Sequence, residues 1–115
     1  MNRRRTGTEY EELAAERLKA LGYEILERNV YCRQGEIDIV AEKDGFVIFV
    51  EVKYRRTKRC GAPEEAVDRR KQARLKKAAE YYLYSRRFAA DTPCRFDVVS
   101  IEGKEIRIWE DAFWI

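Results

Sequence analysis

The spacing of apolar residues alternates along the chain between helical and extended periods. Apolar positions recur with helical spacing in two segments, residues 9–21 and residues 64–87. Extended patterns predict five strands: residues 23–32, a strand that opens at Gly35, Phe46 to Val52, residues 95–101 and residues 105–109. The order α-β-β-β-α-β-β predicts a mixed sheet with helices, an α/β or α+β fold in one domain.

Turn and capping residues mark where several of these elements begin and end. Thr8 is placed to cap the first helix, and Gly22 follows its last residue, as glycine commonly does at a helix C-terminus. Pro63 suits the first turn of the second helix, where its missing N–H is not needed. Asp44-Gly45 is a strong hairpin signal, so we expect the second and third strands to form a tight antiparallel hairpin.

The composition is that of a folded and highly charged soluble protein. Of 115 residues, 45% are hydrophobic and 39% are charged, and only two are proline. The basic start of the chain runs into acidic residues instead of an apolar segment, so residues 1–7 are predicted to be a flexible basic arm and not a signal peptide. No stretch is long and apolar enough to span a membrane, and the cytoplasm is the expected location.

The residue types that are absent or scarce narrow the chemistry. Histidine is missing, which removes His-based catalytic triads and histidine metal sites. Cys32, Cys60 and Cys94 are far apart and include no CxxC pair, so they indicate neither a disulfide framework nor a zinc site. Any catalysis must therefore use carboxylates, lysine, tyrosine, cysteine or a metal ion held by oxygen atoms.

Basic residues are concentrated in three places, although the net charge is only +3. They crowd Arg3–Arg5, Lys53–Arg59 and Arg69–Lys77. Such local basic surface suggests a polyanionic partner. Charge runs are also common on solvated faces that bind nothing, so the distribution alone leaves both interpretations open.

The segment GEIDIVAEKDGFVIFVEVK, residues 35–53, places charged side chains inside an apolar hairpin. With a two-residue turn, Asp38 faces Glu51 across the hairpin. Glu36 then faces Lys53, and strict alternation puts all four side chains on one face. Directly opposed carboxylates repel each other and destabilise a sheet, so the pattern needs a further reason.

A hard divalent cation would account for the opposed carboxylates. Mg²⁺ binds one or two carboxylate oxygens and keeps further positions for water and phosphate. Lys53 would then stand beside the ion, within reach of a phosphate or an attacking water. A proton shared by Asp38 and Glu51, or a plain salt bridge to Lys53, is the structural alternative.

Each helix carries one charged residue at an unusual position. Glu11 falls at the edge of the apolar stripe of the first helix, so it either leans toward the sheet or only caps its own helix. Lys71 lies inside the apolar stripe of the second helix, with Gln72 and Arg74 beside it. It either extends to the rim of the core or offers a cation to a phosphate next to the carboxylates.

Together and in this order, these segments resemble a known group of nucleases. An acidic residue in a first helix, followed by GEID and EVK on a hairpin, is similar to the PD-(D/E)xK restriction-endonuclease-like nucleases. The chain more closely resembles the bacterial YraN family, often described as similar to Holliday junction resolvases. The likeness covers nearly the whole chain, from TGTEYEELAAERLKALGYEILERN through GEIDIVA, FVIFVEVKYR, GAPEEAV and KQARL to CRFDVVSI.

The resemblance implies a restriction-endonuclease-like fold and a role for each matching residue. The implied metal ligands are Asp38, Glu51 and the backbone carbonyl of Val52, and the other implied catalytic residues are Lys53 and Glu11. The chain departs from the superfamily name at Ile37, which stands where that name has proline. Only the carboxylate touches the metal, so this change leaves the expected chemistry intact.

The sequence therefore leads to the hypothesis of a Mg²⁺- or Mn²⁺-dependent endonuclease that hydrolyses DNA, with branched DNA as one candidate substrate. The residues expected to contact DNA are Arg55, Arg56, Lys58, Arg59, Lys71, which matches a family lysine or glutamine, and Arg74. The alternatives are a non-catalytic nucleic-acid-binding module of the same fold and a protein-interaction domain. The likeness to resolvases is compatible with a homodimer, although no coiled coil or isolated apolar helix face demands one.

Overall fold

One mixed sheet of five strands forms the centre of the protein. The computed structural model describes residues 7–55 and 68–113. The elements are α1 (Gly7–Ala20), β1 (Glu24–Cys32), β2 (Gly35–Lys43), β3 (Phe46–Arg55), α2 (Arg69–Ser85), β4 (Cys94–Glu102) and β5 (Glu105–Trp109). This order confirms the predicted α-β-β-β-α-β-β sequence and the mixed α/β fold, which is compatible with a restriction-endonuclease-like architecture.

The strands lie side by side in chain order, β1-β2-β3-β4-β5. β3 and β4 are parallel, and every other neighbouring pair is antiparallel. Parallel neighbours require a long crossover, and α2 lies in the connection between these two strands. Neither described helix is long and apolar enough to cross a lipid bilayer.

The two helices cover opposite faces of the sheet. Leu18 of α1 is buried in one core cluster with Ile48, whereas Leu75 of α2 is buried in the other cluster with Phe49. Consecutive residues of β3 therefore point to different helices, as the period of a strand requires. Coverage on both faces explains why β3 is a continuous apolar run and not an alternating one.

The hairpin between β2 and β3 forms at the predicted turn. Asp44 and Gly45 have φ values of +52° and +83°, the left-handed pair typical of a type I′ turn. Lys43 pairs with Phe46, and the register continues to Ile39 opposite Val50. The turn thus sets the register that brings the charged ends of both strands to the same end of the hairpin.

The C-terminal end of α1 confirms the prediction, whereas its N-terminal end does not. Gly22 has φ +94° and donates to Lys19 O at 3.0 Å, while Tyr23 N donates to Leu18 O at 3.0 Å, which together form a Schellman motif. The helix begins at Gly7, so Thr8 lies in its first turn and the prediction that Thr8 is the N-cap is wrong.

The second helix begins later than the apolar pattern predicts. Asp68 has an extended backbone, with φ −69° and ψ 173°, and its carboxylate accepts a hydrogen bond from Lys71 N at 2.9 Å. This cap makes Arg69 the first helical residue, so the predicted start at residue 64 is wrong. The helix also ends before the predicted residue 87, because Arg87 has φ +59° and cannot continue it. The apolar pattern predicted a stripe of Val67, Lys71, Leu75, Ala78, Ala79 and Tyr82. The last four are buried, which confirms that part of the stripe, and Val67 lies outside the described residues.

Several predictions fall on residues outside the described ranges. These are residues 1–6 of the predicted basic arm, the place of Pro63 in the first turn of the second helix, and the expected DNA contacts of Arg56, Lys58 and Arg59. The arm was predicted to include Gly7, which instead begins α1. Arg55 ends β3, and its side chain is likewise outside what the structure describes.

A buried carboxylate joins three distant parts of the chain at the end of the sheet near β5. Asp97 of β4 is fully buried and accepts hydrogen bonds from the Tyr23 hydroxyl at 2.8 Å and from Arg95 Nε at 3.0 Å. It also accepts from the backbone N–H of Asp111 at 2.9 Å. The connection after α1, strand β4 and the chain after β5 are therefore fixed to one another through a single side chain.

Replacing Asp97 with asparagine should destabilise the protein strongly. The change removes the nearer counter-charge of the Arg95 guanidinium, whose side chain is only 15% exposed, and leaves it only the exposed Glu110 at 3.8 Å. We expect the free energy of unfolding in urea at pH 7 to fall by about 3 kcal/mol. Asp91→Asn, in the exposed loop before β4, is the control and should stay within about 0.5 kcal/mol of the wild type. Equal unfolding midpoints for the two variants would contradict the role given to Asp97.

Candidate functional site

The alternation of β2 breaks at Asp38. Val40 and Ile37 belong to the core cluster on the α2 side, whereas Ile39 belongs to the cluster on the α1 side. Ile37 and Ile39 are two positions apart and would share a face in a regular strand, but they point to opposite faces. Backbone pairing between β2 and β3 extends only as far as Ile39 opposite Val50. Asp38 lies where β2 leaves β3, so the prediction of strict alternation is wrong, although Glu36, Asp38 and Glu51 do line one common cleft.

The Asp38 side chain bridges the fork between these two strands. Its Oδ2 accepts a hydrogen bond from Val52 N at 2.8 Å, while β3 continues in parallel pairing with β4. Burial, followed by the nearby charge of Glu51, raises the pKa of Asp38 to about 7, and the Val52 N–H opposes that rise. The chain thus holds a carboxylate in a place where its negative charge is unfavourable.

Three carboxylates converge at this fork. Glu11 of α1, Glu36 and Asp38 each offer an oxygen atom, and these atoms lie within 4.8 Å of one another. Burial, followed by the charge of Glu36, raises the pKa of Glu11. Glu11 therefore leans toward the sheet, the arrangement that its position at the edge of the apolar stripe left open.

Asn29 of β1 lies between two of these acids. In the amide orientation that satisfies both carboxylates, its nitrogen donates to Glu11 Oε1 at 2.6 Å and to Glu36 Oε1 at 3.2 Å. Its φ of +53° is left-handed, which asparagine tolerates better than most residues. Asn29 thus positions two carboxylates of the cluster.

Glu51 lies outside the group of three converging acids, although it is near enough for its charge to act on Asp38. Its side chain is buried and forms ion pairs with Lys71 Nζ at 2.7 Å and with Lys53 Nζ at 3.1 Å. It lies on the α2 side because it follows Phe49 by two positions on β3. Among the described residues, the acids whose oxygen atoms lie close enough together to hold one metal ion do not include Glu51. The salt bridge to Lys53, the structural alternative in the sequence, is present.

The two lysines on Glu51 have opposite electrostatic environments. Burial, followed by the neighbouring Lys71, lowers the pKa of Lys53. Burial also acts to lower the pKa of Lys71, but the hydrogen bond and charge of Glu51 outweigh it and raise that pKa. Lys53 is therefore the amine that loses a proton more readily, and Lys71 is the more persistent cation.

Two clefts meet at the acids. The first, with a volume of about 500 Å³, is lined on the α1 side by Glu11 and the tyrosines Tyr10, Tyr31 and Tyr54. The second opens on the α2 side and is lined by Glu51, Lys71 and Arg74, among others. Glu36 and Asp38 line both clefts. Acids, cations and aromatic rings are therefore adjacent along one continuous surface.

The structure brings together most of the site residues named from the sequence. Asp38, Glu51, Lys71 and Arg74 line the second cleft, and Lys53 reaches it through its ion pair with Glu51. Val52 contributes its N–H to Asp38 and lines the first cleft.

Two residues of the site were not named from the sequence as metal ligands or catalytic residues, although Glu36 was placed on the same hairpin face as Asp38. Glu36 had a signal, since it stands two positions before Asp38 in GEID. Asn29 had none beyond being an asparagine inside a predicted strand.

Comparison with known proteins identifies the family. The model of the uncharacterised protein family UPF0102 matches residues 10–101. The chain belongs to the UPF0102 family. This is the YraN family to which the sequence resemblance pointed, and the matched range of UPF0102 contains all the acids and both lysines of the site.

The similarity to other UPF0102 proteins extends over most of this chain and most of each relative. A UPF0102 protein of Lachnoclostridium phytofermentans is 50% identical over 113 residues, which is 98% of this chain and 96% of the relative. A UPF0102 protein of Syntrophomonas wolfei is 58% identical over 92 residues, 79% of this chain and 78% of the relative. The UPF0102 protein STH1475 of Symbiobacterium thermophilum is 52% identical over 99 residues, 86% and 83% respectively. These names establish the family and not a reaction.

Asp38→Asn should stabilise the metal-free protein at high pH but not at low pH. The pKa of Asp38 rises from 3.8 to about 7 on folding, so the folded state binds the proton more tightly and ionisation destabilises it as pH rises through this range. Asparagine can still accept from Val52 N and carries no charge. We expect a gain on the order of 2 kcal/mol at pH 8 that disappears near pH 4, measured by urea unfolding in EDTA.

The matched control for this experiment is Asp44→Asn, because asparagine-glycine is an equally good turn at the other end of the hairpin. Its stability relative to the wild type should not change with pH in the same way. A gain for Asp38→Asn that is equal at both pH values would show that the Asp38 charge is not the cause.

Proposed function

We propose that the protein is a divalent-metal-dependent endonuclease that hydrolyses DNA phosphodiester bonds. The observation that carries the proposal is the convergence of oxygen atoms from Glu11, Glu36 and Asp38 within 4.8 Å, beside two lysines paired with Glu51. Three carboxylates in such proximity destabilise a fold unless a cation or protons neutralise them. Hydrolysis of a phosphodiester uses a cation and adjacent amines of this kind.

The donor set fits Mg²⁺ or Mn²⁺. All the available ligands are hard oxygen atoms, which these ions prefer. Asp38 would hold the ion with Glu36 and Glu11, and the family resemblance adds Glu51 and the Val52 carbonyl. When bound, such an ion supplies positive charge to a phosphoryl oxygen and lowers the pKa of its water.

Lys53 and Lys71 would have different roles in the reaction. Lys53, whose pKa is lowered by burial and then by Lys71, can accept a proton at Nζ from an attacking water more readily than an ordinary lysine. Lys71 keeps its charge and would hold a phosphate oxygen of the substrate. Glu51 orients both amines, because each forms an ion pair with the same carboxylate.

The second cleft supplies contacts for the DNA backbone. Lys71 and Arg74 line it next to the acids, so a phosphate there would meet cations on one side and the acids on the other. Contacts of this type position the backbone without reading sequence, and they make binding sensitive to salt.

Cleavage of defined DNA substrates tests the proposal. We expect the wild type to cut at least one of a four-way junction, a flap and a plain duplex when Mg²⁺ or Mn²⁺ is present, and to cut none in EDTA. Asp38→Asn should reduce the rate by about a hundredfold or more, because it removes the central carboxylate of the cluster. Asp44→Asn is the matched control and should cut at the wild-type rate.

A second readout separates metal binding from turnover. Mn²⁺ should raise the melting temperature of the wild type and of Asp44→Asn, and it should do so much less for Asp38→Asn. Equal cutting by all three proteins would contradict the proposal. Salt-dependent DNA binding with no cutting and no effect of Mn²⁺ would favour the non-catalytic nucleic-acid-binding module instead.

A further inference from the structure

Aromatic rings border the acids on the α1 side. Tyr31 is 71% exposed, and it pairs across β1 and β2 with Glu36. Tyr54 is 42% exposed, and its ring stacks on Tyr10 with 3.9 Å between centroids and 20° between planes. The stack fixes the orientation of the Tyr54 ring, because Tyr10 is itself buried against the sheet.

Core packing accounts for one face of the Tyr54 ring, which stacks on Tyr10, but not for Tyr31. A tyrosine that is 71% exposed buries little area, and the strand neighbour of Tyr31 is the charged Glu36. Both Tyr31 and Tyr54 line the cleft that contains Glu11 and Asp38. Flat and partly exposed rings at the edge of a polar cleft are suited to stacking on another flat ring.

The cations Lys71 and Arg74 lie on the α2 side of the acids, opposite the aromatic rings on the α1 side. Glu36 and Asp38 form the boundary between the tyrosine-lined cleft and the cleft with Lys71 and Arg74. A nucleotide presents an anionic phosphate at one end and a flat base at the other. One nucleotide placed across this boundary would set its phosphate toward the cations and its base toward the tyrosines.

We propose that the tyrosine-lined cleft is a subsite for one unpaired nucleobase of DNA, which stacks on Tyr31 and Tyr54. The proposal deepens the nuclease function and depends on it for the phosphate lying at the acids. Inside a duplex both faces of each base are covered by its neighbours, so away from the duplex ends a tyrosine ring stacks only on a base that has left the helix. The preferred substrate is therefore DNA with unpaired nucleotides beside the scissile phosphate.

Binding measured in EDTA tests the subsite without any turnover. A single-stranded oligonucleotide and a duplex of the same sequence are titrated at fixed salt with the wild type, Tyr31→Ala and Tyr31→Phe. We expect Tyr31→Ala to weaken single-strand binding about tenfold and to leave duplex binding unchanged, because one stacked base is lost. Tyr31→Phe keeps the ring and should bind like the wild type.

The control is Tyr84→Ala, since Tyr84 is 83% exposed on α2 and lines neither cleft. It should bind both oligonucleotides like the wild type. As a direct readout, 2-aminopurine in the single strand should lose fluorescence on binding to the wild type and not to Tyr31→Ala.

The outcomes separate this subsite from the nuclease proposal. Wild-type affinity of Tyr31→Ala for single strands, or equal weakening for single strands and duplex, would overturn the subsite even if the protein cuts DNA. Tyr31-dependent single-strand binding by a protein that never cuts would support the subsite and overturn the nuclease. If both proposals hold, a flap should be cut faster than a plain duplex, and Tyr31→Ala should remove that difference.

Discussion

The hydrogen bond from Val52 N to the Asp38 carboxylate, at 2.8 Å, determines how the rest of the site is arranged. It occurs where β2 stops pairing with β3 and β3 continues beside β4. The Asp38 carboxylate thus accepts the hydrogen bond that a carbonyl of a neighbouring strand would otherwise accept. The Val52 N–H is therefore not left without a partner. The same bond keeps a largely buried carboxylate close to other acids, although burial and their charges raise its pKa to about 7.

The separation of β2 from β3 also places the charged side chains in two groups. Glu36 and Asp38 approach Glu11 on the α1 side, whereas Glu51 stays on the α2 side and is neutralised by Lys71 and Lys53. One carboxylate is thus stabilised by cations of the protein, and three others lack comparable compensation among the described residues. The second group is where an external cation would contribute most to stability, since Asn29 and the Val52 N–H donate hydrogen bonds to these acids but bring no positive charge.

Local chemistry was predictable from the sequence, and long-range geometry was not. The Asp44-Gly45 turn and its register followed from turn preference alone, which is why Asp38 and Glu51 were expected near each other. Strict alternation failed at Asp38, where β2 stops pairing with β3 and its backbone departs from the regular pleat. Asn29 was missed since its left-handed backbone depends on the neighbouring strand and on the acids that it contacts. The ion pair of Glu51 with the α2 lysine required knowing where that helix packs.

A crystal structure with Mn²⁺, read by anomalous scattering at the manganese edge, tests most directly whether the acids form a cation site. The predicted result is an anomalous peak bonded to Asp38, with oxygen ligands from the acids around the fork and an Mn–O distance of roughly 2 to 2.3 Å. A map with no peak at Asp38 at millimolar Mn²⁺ and neutral or higher pH, with the three carboxylates still converging, would contradict the metal site and the nuclease function that depends on it.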